Sequence, residues 1–435
     1  MTRPLEPPQP VVEIAERLEK AGFEAWCVGG AVRDALLGHA HLDWDLATAA
    51  SPTQVRALFR RTVPVGIEFG TVGVFDRTGV MHEVTTFRRD VKTDGRHAIV
   101  EFGASLDDDL ARRDFTINAI AWSPTRAELR DPFSGRADLE RRLVRAVGDA
   151  DARMREDRLR ALRAIRFAAR FGFAIEPATW GAIVGSAPHL GRLSAERVKQ
   201  EIDKTLEQVA APSKAFALWR EAGAFRSLVP SLATVTDSDL QAIDVSARPT
   251  GGPRDADRRL LRLALLFAPT GGGETSRALK ALRYSNQDTA WVGGIVERWE
   301  QAVPVLDRLL NAGTFAAVDV RRFVSSTSRV RVRAILRLAA ARWQTARASG
   351  RPAPSKKAVD SFFRAAVHSA FHDPVELSDL AIDGDDLGGA GLAPGPLLGK
   401  ILKALLEWVL DDPARNTRDQ LLARALELSA HPGQP

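Results

Sequence analysis

The hydrophobic period changes once along this chain, near residue 141, and that change limits the fold more than any other feature. Before it, short apolar pieces alternate with helical patterns; after it, the helical spacing runs to the end. Val11, Ile14, Ala15 and Leu18 recur at steps of three and four, which predicts a first helix. The apolar piece from Ala25 to Val28 meets Gly29-Gly30, and a second helical pattern follows over 31–37, so the glycines sit at a strand-to-helix turn. Further strand-like pieces at 71–75, 82–87 and 117–122 are rich in β-branched and aromatic residues. The part up to about residue 140 therefore reads as α/β and the remainder as all-α, an α+β chain overall. Loop-like stretches at 246–257, 270–273 and 349–354 interrupt the helical part.

At 435 residues the chain exceeds one ordinary core, and about three domains are expected. A single cysteine, Cys27, excludes a disulfide framework and a cysteine-rich zinc site, and suits a reducing, cytoplasmic setting. No apolar run reaches the roughly 18 residues of a membrane span, so no membrane partner is expected. The eight residues at the start read as a short flexible tail. The net charge of +6 is small but unevenly spread. Nine arginines and no acid fall between Arg321 and Arg351, whereas the 63 residues from Asp373 carry 11 acids against 5 basic residues. Arg329, Arg333 and Arg337 are four apart and on one helix would share a face, either a contact for a nucleic-acid backbone or a solvated basic surface.

Several strings carry possible chemistry. Gly29 and Gly30 at a helix start would expose backbone N–H groups to an anion, and Arg33 three residues on could join them on a phosphate. Asp43 and Asp45 would share one face of a strand, where two carboxylates are costly without a cation; oxygen ligands select Mg²⁺ or Mn²⁺. Glu83 is a candidate third acid, or an ordinary solvated strand residue. In Arg112-Arg113-Asp114-Phe115-Thr116-Ile117-Asn118 the arginines could hold phosphates, and Asp114 or Asn118 a ribose hydroxyl. Over 156–167 a helical pattern places Asp157, Arg160 and Arg163 on one face, where an acceptor beside a donor fork could match the edge of a base; an intrahelical ion pair is the alternative. His372-Asp373 has no upstream histidine partner between His189 and His368, which argues against a phosphohydrolase, and no Walker loop or Rossmann glycine pattern occurs.

Together and in this order, the strings at 29–45, 83–88, 112–119, 131–139, 156–167 and 196–201 resemble the class II CCA-adding enzymes, in the polymerase β-like nucleotidyltransferase superfamily with the bacterial poly(A) polymerases. The resemblance implies a catalytic head (1–140), a nucleotide-selecting neck (141–207), a body (208–310) and a tRNA-binding tail (311–435). It implies CCA addition to tRNA from CTP and ATP with release of pyrophosphate, assisted by two Mg²⁺ ions. Asp43 and Asp45 would bind the metals, with Glu83 matching a family position as a third acid and Gly29, Gly30 and Arg33 on the triphosphate. Arg112, Asp114 and Asn118 would meet phosphate or sugar. Asp157 and Arg160 would form the amino-acid template that selects the base, with Arg163 and Arg166 nearby. The segment 64–72 is similar to the CCA type rather than to poly(A) polymerases. The loop at 90–97 departs from the family pattern, being one residue shorter and lacking an aromatic, which leaves CC-only or A-only addition as narrower alternatives. A tRNA-binding protein that has lost catalysis is a further alternative, disfavoured by the retained acids.

Overall fold

A computed structural model describes residues 5–39, 43–93, 98–245 and 255–430. Contacts between Cα atoms divide the chain into two units: Met1–Val209 with Leu218–Pro230, and Ala210–Ala217 with Ser231–Pro435.

The first unit is organised by a seven-stranded sheet. Its elements begin with α1 (Gln9–Lys20), β1 (Ala25–Val28), α2 (Gly30–Leu36), β2 (Asp45–Thr48), α3 (Pro52–Leu58), β3 (Thr62–Gly66), β4 (Thr71–Phe75) and β5 (Met81–Thr86). They continue with β6 (Arg88–Thr93), β7 (Ala98–Phe102), α4 (Leu106–Ala111), β8 (Ala121–Ser123), β9 (Glu128–Arg130) and α5 (Gly135–Glu140). The sheet order is β3-β4-β5-β2-β1-β8-β9. Within this sheet, among the described residues, β2–β5 is the one parallel pair, and β6 and β7 form a separate hairpin. All four residues of β1 are buried, as expected of a strand at the middle of a covered sheet. The apolar stripe of α1 (Val11, Ile14, Ala15, Leu18) is buried as its spacing predicts.

The strand expected at 117–122 forms only from Ala121. The residues before it make a 3₁₀ turn, Thr116–Asn118, in which Thr116 Oγ1 donates to Asp138 and Asn118 Nδ2 to Asp114. The helical part of this unit is α6 (Ala150–Glu156), α7 (Leu159–Phe171), α8 (Pro177–Ser186) and α9 (Ala195–Gln208). The single helix expected over 156–167 is broken at Asp157. That residue is extended (φ −147°, ψ 105°), and its Oδ1 accepts the Leu159 N–H at 3.0 Å, restarting the chain as α7. Leu159, Leu162 and Ile165 of α7 are buried.

The second unit is helical throughout its described elements. Here the basic run is largely absorbed by the protein. Arg321 is buried and donates to the carbonyls of Leu410 (2.6 Å) and Asp411 (2.9 Å). Arg342 pairs with Asp239 at 3.2 Å. Arg329, Arg333 and Arg337 do not share a helix face, because Arg329 lies in the turn ahead of the helix Val332–Ala348 and is bound to Asp379 at 2.6 Å. Arg333 is exposed and Arg337 half-buried on that helix. Among the described residues, no helix is long and apolar enough to cross a membrane.

Candidate active site

The first unit contains a cleft of ≈ 490 Å³ lined by the turn after β1, by α2, β2 and the segment after α4, and by α7 with the residue Asp157 ahead of it and α9. At its floor β1 turns into α2 through Gly29, held at φ +75°, ψ −131°, a conformation open in practice only to glycine. A side chain there would also lie 3.0 Å from Arg113 Nη1. The glycine thus lets Arg113 close down onto the turn, and Gly29 and Gly30 both line the cleft.

Next to the turn stand the acids. Asp45 opens β2, opposite Val28, and the Leu46–Val84 pairing puts it beside Glu83 on β5. Asp43 is exposed, Trp44 buried and Asp45 half-buried, the alternation expected of a strand edge. Burial, then the charges of Asp43 and Glu83, push the Asp45 carboxyl up to about 7, while Arg113 opposes the shift. Three mutually repelling carboxylates are a natural seat for a divalent cation. Among the described residues, no three His, Cys, Asp or Glu groups close around an ion by themselves. A magnesium ion takes one or two carboxylates and completes its shell with phosphate oxygens and water, so the acids fit one.

Arg112 and Arg113 are held by an acid the sequence did not single out. Asp109, in the first turn of α4, is fully buried; its Oδ1 accepts from Arg112 Nε (3.0 Å) and Nη2 (2.7 Å), and its Oδ2 from Arg113 Nη2 (3.2 Å). Arg113 Nε is buried and has no hydrogen-bond partner among the described residues, a donor suited to an anionic ligand. Asp114 accepts from Asn118 Nδ2 (2.8 Å) and the Phe115 N–H (2.9 Å) at Oδ1, and from Arg163 Nε (2.8 Å) at Oδ2. Burial pushes the Asp114 carboxyl up, but the Arg163 charge and the Asn118 hydrogen bond outweigh it and hold the group below the usual carboxylate range.

The opposite wall is the start of α7. Asp157 Oδ2 accepts from Arg197 Nη2 on α9 at 2.6 Å. Arg160 donates to Glu156 Oε2 (2.6 Å) and to the carbonyls of Arg153 (3.0 Å) and Arg112 (3.1 Å). Asp157 and Arg160 therefore face the cleft already engaged with flanking partners.

Of the residues anticipated from sequence, Gly29, Gly30, Arg33, Asp45, Arg112, Asp114, Asn118, Asp157, Arg160 and Arg163 line this one cleft. Asp43 and Glu83 flank Asp45 outside the lining. Arg166 does not reach it: it is 3% exposed and bound to Glu201 at 2.7 Å, joining α7 to α9. Arg33 lines the cleft while only 4% exposed, and its guanidinium donates to Asp34 and Asn118. Arg113, Phe167 and Arg197 also line the cleft. Arg113 was legible as the neighbour of Arg112, but nothing in the spacing of Arg197 and Asp157, 40 residues apart, signals their contact.

A glycine turn and a strand-edge acid cluster on one mixed sheet, facing an arginine-rich helical wall, are the parts of a nucleotidyltransferase site. Residues 25–145 match the Poly A polymerase head domain, 172–235 the RNA and SrmB-binding site of polymerase A, and 263–425 the tRNA nucleotidyltransferase domain 2. The chain is 35% identical over 425 residues to the CCA-adding enzyme of Leuconostoc citreum, covering 95% of each chain. It is 34% identical over 441 residues to that of Geobacillus stearothermophilus, covering 97% of this chain and 98% of the relative. The crystal structure of the Bacillus stearothermophilus CCA-adding enzyme in complex with CTP superposes with a TM-score of 0.75 at 32% identity, covering 99% of this chain and 98% of that one. The chain belongs to the CCA-adding enzymes, a family of tRNA nucleotidyltransferases that work with a divalent metal.

Proposed function

We propose that the protein adds CCA to the 3′ end of tRNA without a nucleic-acid template, using CTP and then ATP. The tRNA 3′-hydroxyl attacks the nucleotide α-phosphate, forming a phosphodiester bond and releasing pyrophosphate. The observation that carries this reading is that Asp45, beside the glycine turn, and the Asp157–Arg160 edge line the same cleft. Asp43 and Asp45, with Glu83 alongside, would hold two Mg²⁺ ions. Such ions lower the barrier by making the hydroxyl a better nucleophile and neutralising the triphosphate. Gly29 and Gly30 let the phosphates approach the backbone, and Arg112 and Arg113, fixed by Asp109, balance their charge. Asp114 and Asn118 are placed for the ribose.

Cytosine and adenine both present an exocyclic amine beside a ring-nitrogen acceptor, whereas uracil and guanine present a carbonyl beside an N–H. An Asp157 acceptor beside an Arg160 donor therefore admits C and A and opposes U and G. We assign residues 1–140 and 141–207 to the catalytic head and neck, and 208–310 and 311–435 to a body and tail that hold tRNA, in the cytoplasm where its substrates lie. Arg333 and Arg337 are the members of the basic run best placed for the RNA backbone.

The test is incubation with tRNA that ends before CCA, with CTP and ATP supplied separately and together and the products resolved to one nucleotide. Two additions with CTP alone and three with both are expected. Two with both would indicate a CC-only enzyme; the loop residues Asp94–His97 that bear on this lie outside the described residues.

A further inference from the structure

Outside the cleft, on the side of α6 and α8, three arginines stand together. Arg158 precedes α7 between Asp157 and Leu159, both of which line the cleft, while Arg158 itself does not. It is half-buried, and its Nη1 donates to Ser186 Oγ, at the end of α8, at 3.0 Å. Arg155, in the last turn of α6, and Arg192, at the end of the 3₁₀ segment Ala187–Arg192, lie close enough for their charges to act on it. Both are exposed. Among the described residues, none of the three forms an ion pair. The acids next to Arg158 in sequence are drawn elsewhere, Glu156 onto Arg153 (3.0 Å) and Arg160 (2.6 Å), and Asp157 onto Arg197 (2.6 Å). Burial, then the charges of Arg192 and Arg155, hold the Arg158 guanidinium below its ordinary pKa. Three like charges at close quarters repel one another until an anion comes between them.

We propose that Arg155, Arg158 and Arg192 clamp the sugar-phosphate backbone of the tRNA strand that brings its 3′ end to the cleft. The inference rests on the reading that tRNA is extended in this cleft, and it adds an anchor in the first unit to the pair assigned in the second. Two features select a phosphodiester. Guanidinium forks present paired N–H donors that match phosphate oxygens, and the Ser186 hydroxyl holds one fork in place. The cluster also lies outside the lining that receives the incoming nucleotide, which leaves the RNA as the phosphate-bearing partner at this spot. Contacts of this kind carry no sequence information; they fix where the strand lies. A clamp beside Asp157 holds the RNA by its backbone, which is the same at every step, while the terminal base changes from one addition to the next.

The experiment uses the full chain, tRNA ending before CCA, and an RNA hairpin carrying only its acceptor stem. The clamp variant combines Arg155→Gln, Arg158→Gln and Arg192→Gln. A charge-matched control combines Arg56→Gln, Arg136→Gln and Arg141→Gln, three exposed arginines of the same unit. Melting temperature checks folding, and RNA affinity is measured across a range of salt. The clamp variant is expected to bind both RNAs roughly tenfold or more weakly near about 0.1 M salt, and to lower the slope of log affinity against log salt by roughly 2–3. Its KM for CTP at saturating RNA should stay within about twofold of the parent, because the cluster does not line the cleft. Parental affinity and slope in the clamp variant would overturn the proposal, as would an equal loss in the control. A loss on tRNA that the hairpin does not show places the cluster away from the 3′ end and overturns it too. If RNA affinity is unchanged but inorganic phosphate raises the melting temperature of the parent and not of the variant, the cluster is a free-anion site instead. If the clamp variant fails to fold, Arg155→Gln with Arg192→Gln decides, since both side chains are exposed. An unmodified protein that binds tRNA but incorporates no CTP refutes the proposed activity and leaves the clamp standing, a result distinct from all of these.

Discussion

Replacing Gly29 with alanine separates two roles of one residue. At φ +75°, ψ −131° an alanine is in a region that side chains disfavour, at a cost of about 1–3 kcal/mol. For a unit the size of Met1–Val209 with Leu218–Pro230, each kcal/mol moves the melting temperature by ~2–4 °C, so a fall of about 2–12 °C is expected. The new Cβ would also meet Arg113 Nη1 at 3.0 Å, closer than such atoms normally sit, and the flexible end of the arginine would give way. If one charge-assisted hydrogen bond to the triphosphate is lost, about 1.5–3 kcal/mol goes with it, and the KM for CTP and for ATP rises roughly 10- to 150-fold. Calorimetry and steady-state incorporation read the two effects. Gly38→Ala is the control: its φ is +76°, but a Cβ there meets nothing within 4 Å. It should lower the melting temperature and leave KM in place. If Gly29→Ala raises KM no more than Gly38→Ala does, the close approach of Arg113 has no part in binding.

Other outcomes follow from the same geometry. With its carboxyl raised to about 7 from an ordinary 3.8, Asp45 binds more protons folded than unfolded between those values, so its contribution to stability falls as pH rises through that window. The metal-free protein should lose on the order of 4 kcal/mol at most from this source between pH 4 and 7. Asp45→Asn should flatten that slope in thermal melts and abolish incorporation while tRNA is still bound. Arg166→Ala strips the partner from buried Glu201 and should destabilise the protein by about 3–5 kcal/mol in denaturant titration, whereas the discrimination of CTP against UTP should not change. Replacing Arg333 and Arg337 together with alanine should weaken tRNA binding and lower the slope of log affinity against log salt by roughly 1–2; an unchanged slope removes them from the RNA interface.

Features that depend on near neighbours were visible in the chain itself. Gly29-Gly30 between an apolar strand and a helix, two acids one residue apart, and adjacent arginines each announce themselves within a few residues, and they converge on one cleft apart from Asp43, which flanks it. What was hidden depends on partners far away in sequence. Asp109 looks like one acid among three at a helix start, and only burial shows that it holds Arg112 and Arg113. Arg166 continues the arginine spacing of α7 but points at Glu201, 35 residues on. The break at Asp157 escapes a periodicity argument because the apolar stripe persists across it while the backbone is reset by one side-chain hydrogen bond. Arg329 was misplaced for a related reason: a spacing of four means a shared face only if the helix has already begun.

The partners already held by Asp157 and Arg160 have a kinetic meaning. On the proposed reading, an arriving base does not fill vacant valences; it trades places with Arg197 and Glu156, and the net gain from such a barter is slight even when the fit is good. The grip comes from the triphosphate, which every nucleotide carries, and the base only tips the balance. Once pyrophosphate departs, the old partners reclaim their atoms and the newly added residue is released with little resistance. A wall that bound cytosine firmly would stall after its first success; one that lends its hydrogen bonds can serve again for the next nucleotide.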